Sequence, residues 1–370
     1  ALALQVATRP LPRVYLLVGE TGMSWKHKAV RWLLQPSLLQ RLVFQFPLLA
    51  GERLRRYPAA SAELANSAIM KQWWYYSIEM LPGQMSDGIY PSELPFLPRI
   101  LLANAGLEDQ DCLDLGSMEG LLPVLMCRRG ARRVLATDAV FHCYRKLLAV
   151  QHYHKVRFGF QQVGSMYQLA DKLGRAGTRT FDLINVSGLL YHVFSPMLVI
   201  GGVRPLLKTN GLMIVSTNVV ETPGYGMEFN EGGRFQPEAN TFWYLSVPMI
   251  DYLLRYFCLQ PIDCLYLRRP AGEHGNIRNG YLSVVCRATD DLALPVDDGW
   301  AVASRDKAWE YLDAVDRSPW RSRRASEIGY RHSHADAQPS IQVQDIYLDR
   351  QLLSTGNAQQ SHHLKLDDDA

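Results

Sequence analysis

Apolar positions recur in two different rhythms along the chain. From residue 1 to about 95 they recur at helical spacing, first in "SWKHKAVRWLLQPSLLQRLVFQF" with a break at Pro36. The habit continues in "SAELANSAIMKQWWYYSIEM" and ends at the turn "LPGQMSDG". A mostly helical, partly irregular N-terminal region is expected. From about 96 to 290, short β-rich runs alternate with helical ones. "DCLDL", "RRVLATD", "VRFGFQQV", "FDLINVS" and "LMIVSTNVV" read as strands. "EGLLPVLMCRRG", "VFHCYRKLLAVQHYH", "MYQLADKLG" and "PMLVIGGVRPLLKTNG" read as the helices between them, the last ending at Gly211. This alternation predicts an α/β fold with a doubly wound, mostly parallel sheet and helices on both faces. The near-continuous apolar character of the strands agrees with burial on both sides.

After Val220 the alternation stops. A Gly- and aromatic-rich loop runs from Glu221 to Tyr244, followed by a helix, "VPMIDYLLRYF". "QPIDCLYLRR" and "NGYLSVVCRAT" then predict a terminal antiparallel strand pair. Residues 291–370 form an extension with one amphipathic helix, "DKAWEYLDAVDR", and a polar tail. Three parts result: residues 1–95 as a cover for substrate, 96–290 as the catalytic core, and 291–370 as the extension.

Composition narrows the function classes. Of 370 residues, 48% are hydrophobic and 20% charged, which excludes a disordered chain. The net charge of +3 gives no strong nucleic-acid footprint. The arginine clusters at 53–56, 128–133 and 321–324 read as solvated surface. None of the six cysteines forms a CxxC pair, and His332, His334, His362 and His363 lack spaced carboxylates, so no metal site is expected. Free thiols in apolar contexts suit a reducing, cytoplasmic setting. No leader is expected in the proline-broken N-terminal stretch. The longest apolar run, "LLYHVFSPMLVIGGV", is interrupted by His192 and Pro196, so no membrane span is expected.

The candidate chemistry starts at "CLDLGSMEGLLP". It reads as strand, acid, tight turn and helix start, the place where doubly wound folds hold their ligand. Gly116 allows the turn and Gly120 a close approach by the helix. A dinucleotide turn wants G-x-G-x-x-G at a helix N-terminus. Here the spacing is Gly116-x-x-x-Gly120, and Asp114 stands just before it. An acid so near is a poor neighbour for pyrophosphate and suits a cofactor with positive charge. Asp138 closes the next strand, where a carboxylate can take ribose hydroxyls or cap the following helix.

With those residues in view, 96–290 resembles a class I S-adenosylmethionine-dependent methyltransferase. Asp114, Gly116 and Gly120 match its acid-x-Gly-x-Gly-x-Gly loop, Asp138 matches its ribose acid, and Met118 departs at the middle glycine. "FDLINVSGLLYHV" and "LLKTNGLMIVST" match two later passages. The resemblance implies S-adenosyl-L-methionine as cofactor, held by Asp114, Gly116, Ser117, Gly120, Asp138, Ser165, Met166 and Ser187. A shorter likeness, in "WYYSIEMLPGQMSDG" and "LLYHVFSP", points to the branch containing the tRNA wobble-uridine carboxymethyltransferase and relatives of unknown substrate.

His192, next to Tyr191, has the residue type needed to take a proton from a hydroxyl acceptor near neutral pH. Trp74, Tyr191, Tyr225, Glu228, Trp243 and Tyr244 are candidates for an acceptor pocket, with core packing as the other reading of the aromatics. The expected activity is O-methylation of a small-molecule hydroxyl on a sugar, lipid or polyketide-like metabolite. Transfer of a methyl or carboxymethyl group to tRNA, and a non-catalytic binding protein on the same fold, are the alternatives. Nucleic acid is the less favoured partner.

Overall fold

The computed structural model describes residues 57–90, 96–139, 143–163, 180–236, 240–268 and 277–290, with 166, 169, 173, 238, 307, 325 and 328–333. The amphipathic helix expected around residue 310, most of "MYQLADKLG" and everything before residue 57 lie outside them.

A nine-stranded sheet forms the centre. Strands β5 (Asp111–Leu115), β6 (Arg133–Asp138) and β7 (Gly159–Gln162) run parallel to one side, and β8 (Phe181–Ser187) and β9 (Leu207–Val220) to the other. The sheet order around them is β7-β6-β5-β8-β9. The chain therefore reverses its direction of travel across the sheet between β5 and β8. The expected terminal pair is present as β12 (Leu259–Arg268) and β13 (Asn279–Ala288), with β13 antiparallel to both β12 and β9. Beyond the end of β9, β11 (Trp243–Ser246) pairs parallel to Val219 and Val220, and β10 (Met227–Phe229) pairs antiparallel to β11.

Side chains alternate across this sheet as a period of two requires. Cys112, Leu183, Leu212, Ile214 and Val285 belong to one core. Leu113, Ile184, Met213, Val215 and Val284 belong to the other. Helices α2 (Phe96–Ala103), α3 (Leu121–Arg128) and α4 (Tyr144–His154) cover the first face. Helices α5 (Pro196–Val203) and α6 (Val247–Tyr256) cover the second. With both faces sealed, each strand reads as a continuous apolar run.

Two expectations require correction. The helix expected to run from "PMLVIGGV" to Gly211 stops at Val203, with one 3₁₀ turn over Arg204–Leu206; Pro205 has no N–H to extend the ladder. β9 begins at Leu207 and contains Gly211, which sits in a bulge: β9 advances from Leu207 to Leu212 while β8 advances from Phe181 to Leu183. A Cβ at Gly211 would stand 2.7 Å from the Asp182 carbonyl oxygen, so this close passage needs glycine. Buried Arg204 pins the junction, donating to the carbonyls of Phe257, Leu207 and Thr289 at 2.9, 3.0 and 2.8 Å.

The second correction concerns the N-terminal region. Within the described residues it has one short helix, α1 (Ser61–Ala65), and then β1 (Trp74–Tyr76), β2 (Glu79–Leu81), β3 (Gln84–Met85) and β4 (Gly88–Tyr90). The run "WYY" is a strand, not helical. Bulky aromatic side chains suit a pleated strand as well as a helix face, and here a tertiary contact decides between them.

Candidate cofactor and acceptor site

In an open parallel sheet, ligands bind beyond the carboxyl ends of the strands where the order reverses. A cavity lies at that point. Its lining includes Asp114, Gly116 and Ser117 from the end of β5, Asn185, Ser187 and Gly188 from the end of β8, and Tyr76 and Tyr281 from β1 and β13.

The loop after β5 is fixed by its own backbone. Gly116 has φ +71° and its N–H donates to the Thr137 carbonyl at 2.9 Å. Gly120, at φ +84°, starts α3; a Cβ there would come within 2.6 Å of Leu147 and 3.0 Å of Phe158. Ser117 Oγ donates to the Asp114 carbonyl at 3.1 Å and accepts the Thr137 N–H at 3.2 Å. Met118 adopts φ +43°, and its N–H donates to Asp138 Oδ2 at 2.8 Å. Its side chain is not among those that line the cavity. The missing glycine is accommodated by a left-handed Met118 and a carboxylate that holds its amide.

Asp114 is buried, with Oδ1 accepting the Asn185 amide at 2.6 Å. Burial pushes its pKa up to about 6, against the opposing pull of Ser117 and Asn185. No cation pairs with it among the described residues. A sealed carboxylate with only neutral donors around it favours a cationic group in the adjoining cavity. This arrangement fits the ammonium of an amino acid and disfavours a phosphate. Ser187 lines the same wall, its Oγ 2.6 Å from Asn185 Oδ1 and 3.0 Å from Ser216 Oγ. Asp138 lies just behind the loop, outside the cavity lining, with one oxygen engaged by Met118. Met166 is buried in the second core, and Ser165 lies outside the described residues.

Of the residues expected to meet an acceptor, Tyr191 is buried, and burial raises its hydroxyl pKa well above the usual value. A Cβ at Gly188 would lie 3.5 Å from the Tyr191 hydroxyl and 3.8 Å from that of Tyr281, so both phenols converge beside the cavity. His192 packs at a tilt against Tyr191, with ring centroids 4.2 Å apart and the ring planes at 54°. Its Nδ1 lies 3.0 Å from the Asn240 carbonyl, which can only accept. Nδ1 therefore carries the hydrogen and Nε2 keeps its lone pair. Burial lowers the His192 pKa, while Glu238, with Oε2 3.9 Å from Nε2, favours the protonated ring. His192 is not among the cavity-lining residues.

The remaining candidates separate. Trp243 is half-buried, its Nε1 donating to the Phe194 carbonyl at 2.9 Å, with Phe229 edge-on at 5.0 Å. Tyr225 is exposed and packs edge-on against Tyr252, and Glu228 pairs with Arg234 on the surface. Tyr244 is fully buried against Phe235 at 4.6 Å, a packing position. Trp74 is also fully buried, with Nε1 bonded to the Ile69 carbonyl at 3.1 Å; its neighbour Tyr76 is the aromatic that reaches the cavity. Three residues escaped the sequence reading: Glu119 in the glycine loop, Glu238 beside His192, and Tyr281 on β13. The acid between the two glycines was the one visible signal.

Two of the surface arginines have partners. Arg132 and Arg133 both pair with Asp111, whose carboxyl they hold well below the usual range, at the end of β5 away from the cavity. Among the described residues no group of acids, histidines and cysteines has metal-site geometry, and no helix is long and apolar enough to cross a membrane.

The fold is Rossmann-like. It is the fold that the resemblance to class I methyltransferases implied. No protein-family model matches the chain. Over 164 residues, 44% of this chain, it is 24% identical to the ubiquinone biosynthesis O-methyltransferase of Neisseria meningitidis serogroup C. The chain spans 64% of that relative's length. Among solved structures it is similar to the N-terminal domain of EvdMO1 with SAH bound, with a TM-score of 0.44 and 16% identity over 63% of this chain and 99% of that one. A methyltransferase of Mesorhizobium loti aligns with a TM-score of 0.40 and 14% identity over 51% of this chain and 96% of that one.

Proposed function

We propose that the chain is an S-adenosylmethionine-dependent methyltransferase acting on a hydroxyl of a small molecule. The observation that carries this reading is Asp114: a buried carboxylate without a cation, at the strand-order reversal, beside a turn that lacks the pyrophosphate pattern. The similarity to an O-methyltransferase supports the reaction class.

When bound, S-adenosylmethionine supplies an activated methyl group on a sulfonium. The chain's own residues do the rest. Asp114 holds the ammonium end, with Asn185 fixing the carboxylate's orientation. The backbone at Gly116 and Ser117 forms the floor. The phenols of Tyr191 and Tyr281 border the acceptor side and orient a hydroxyl group there. His192 Nε2 accepts the acceptor's proton, and Glu238 stabilises the resulting imidazolium. Aligning the two reactants supplies much of the rate enhancement in such a transfer.

Calorimetric titration with S-adenosylhomocysteine, followed by a mass-spectrometric acceptor screen with labelled cofactor, tests the reading. Saturable binding and a labelled, methylated hydroxyl product are expected. Absence of any binding would overturn it.

A further inference from the structure

Strand β1 belongs to a small two-stranded sheet with β4, outside the central sheet, yet it contributes Tyr76 to the cavity wall. The side chain of Glu119 ties it to the glycine loop. Glu119 is completely buried; its Oε1 accepts the Tyr75 N–H at 2.8 Å and its Oε2 the Tyr76 N–H at 3.2 Å. Lys146 of α4, also buried, donates to Oε1 at 2.8 Å and lies 5.0 and 5.3 Å from the ring centroids of Trp73 and Trp74. The loop holds Glu119 from both sides. The Met118 amide is bonded to Asp138, and the Gly120 N–H donates to the Ser117 carbonyl at 2.7 Å.

We propose that Glu119 is a positioning residue that latches the Trp74–Tyr76 strand onto the cofactor loop and so completes the wall of the cavity. A buried Lys–Glu pair is a poor source of stability, since apolar replacements of similar shape often do as well. An apolar residue at position 119 would, however, leave two strand N–H groups without an acceptor. The carboxylate therefore does something that packing alone does not: it joins the cover to the loop. A ligand that touches both Tyr76 and Asp114 is then coupled to the latch, and the coupling is reciprocal.

The proposal rests on the cavity being the cofactor site, and the test separates the two. Wild type, E119Q and E119Q/K146M are compared by amide exchange at Tyr75 and Tyr76 without ligand, by thermal melting and by S-adenosylhomocysteine titration. E119Q is expected to melt lower, and the double variant, with no unpaired lysine, to recover much of that loss. In both variants the two amides exchange at least about tenfold faster and affinity falls about tenfold, as loss of one charge-assisted hydrogen bond predicts. Wild-type exchange and affinity in the double variant would overturn the latch, because Glu119 would then serve only to neutralise Lys146. If wild type binds no ligand, the cofactor reading fails and exchange alone decides: faster exchange supports the latch and unchanged exchange overturns it.

Discussion

At the glycine loop Asp114, Glu119 and Asp138 are 2%, 0% and 5% exposed, and each meets specific donors, whereas the aromatics Phe194 and Tyr225, outside the cavity lining, are 66% and 55% exposed. The first region is built from buried charge with fixed partners, and the second from exposed aromatic surface. Buried charge is costly unless matched, so it constrains what can bind beside it. Exposed aromatic surface accepts many shapes and leaves the acceptor class open. On the proposed function, the molecule is specific about its cofactor and permissive in the part that chooses the acceptor. That contrast can be broken from either end.

The largest expected effect is at the acceptor end. His192→Ala should lower kcat by about a thousandfold, the scale of a general base, and leave S-adenosylhomocysteine affinity unchanged. Because burial lowers the His192 pKa, its base form is already present at neutral pH. Turnover should be flat near pH 7 to 8 and fall only as the pH drops below that lowered value. A variant that keeps its full rate, once the acceptor is known, removes the base assignment.

At the cofactor end Asp114→Asn should weaken S-adenosylhomocysteine binding by about a hundredfold, the loss of a buried charge-assisted contact. The pH dependence sharpens this. In the free protein Asp114 titrates near 6, and an ammonium ligand favours the charged form. Wild-type affinity should therefore be level above about pH 7 and fall toward tenfold per pH unit below about 6. The asparagine variant should lack that slope. Stability moves the other way. A carboxyl whose pKa is raised by folding contributes most below its unfolded value and loses that contribution as the pH rises through 6. An unchanged slope in the variant would assign the titration to another group.

A smaller effect belongs to the turn itself. Gly120→Ala places a methyl group 2.6 Å from Leu147 at a positive φ, and should cost about 2 kcal/mol in a urea melt. No loss would mean that α3 can withdraw from α4 without strain.

How much of this could be read in the sequence depended on what fixes each feature. The parallel strands and the terminal pair were legible because local periodicity and burial on both faces coincide along "DCLDL", "FDLINVS" and "NGYLSVVCRAT". The place of Asp114, at a strand end before a turn, was legible, whereas its bond to Asn185 comes from the neighbouring strand. The strand at "WYY" was not, because its backbone donors find their acceptor at Glu119, far along the chain. Gly211 misled for a related reason: a glycine after apolar residues marks a helix end or a bulge, and the Asp182 carbonyl across the sheet decides. Glu238 reaches His192, and Tyr281 the cavity, through long-range packing, which no local pattern records.

The smallest expected effect bears most directly on whether the loop still works. Met118 occupies the place of a glycine, at a φ of +43° that costs an ordinary residue about 1 kcal/mol. Met118→Gly removes that strain but adds freedom to the unfolded chain worth nearly as much. Stability should stay within about 0.5 kcal/mol. The group this position contributes is its amide, bonded to Asp138, and glycine supplies the same amide. Affinity for S-adenosylhomocysteine should then change less than about threefold, well under 1 kcal/mol. A rise above tenfold would mean that the methionine side chain obstructs the bound cofactor. The loop would then belong to a protein that kept the fold and gave up the reaction, and the contrast between a specific cofactor end and a permissive acceptor end would fail.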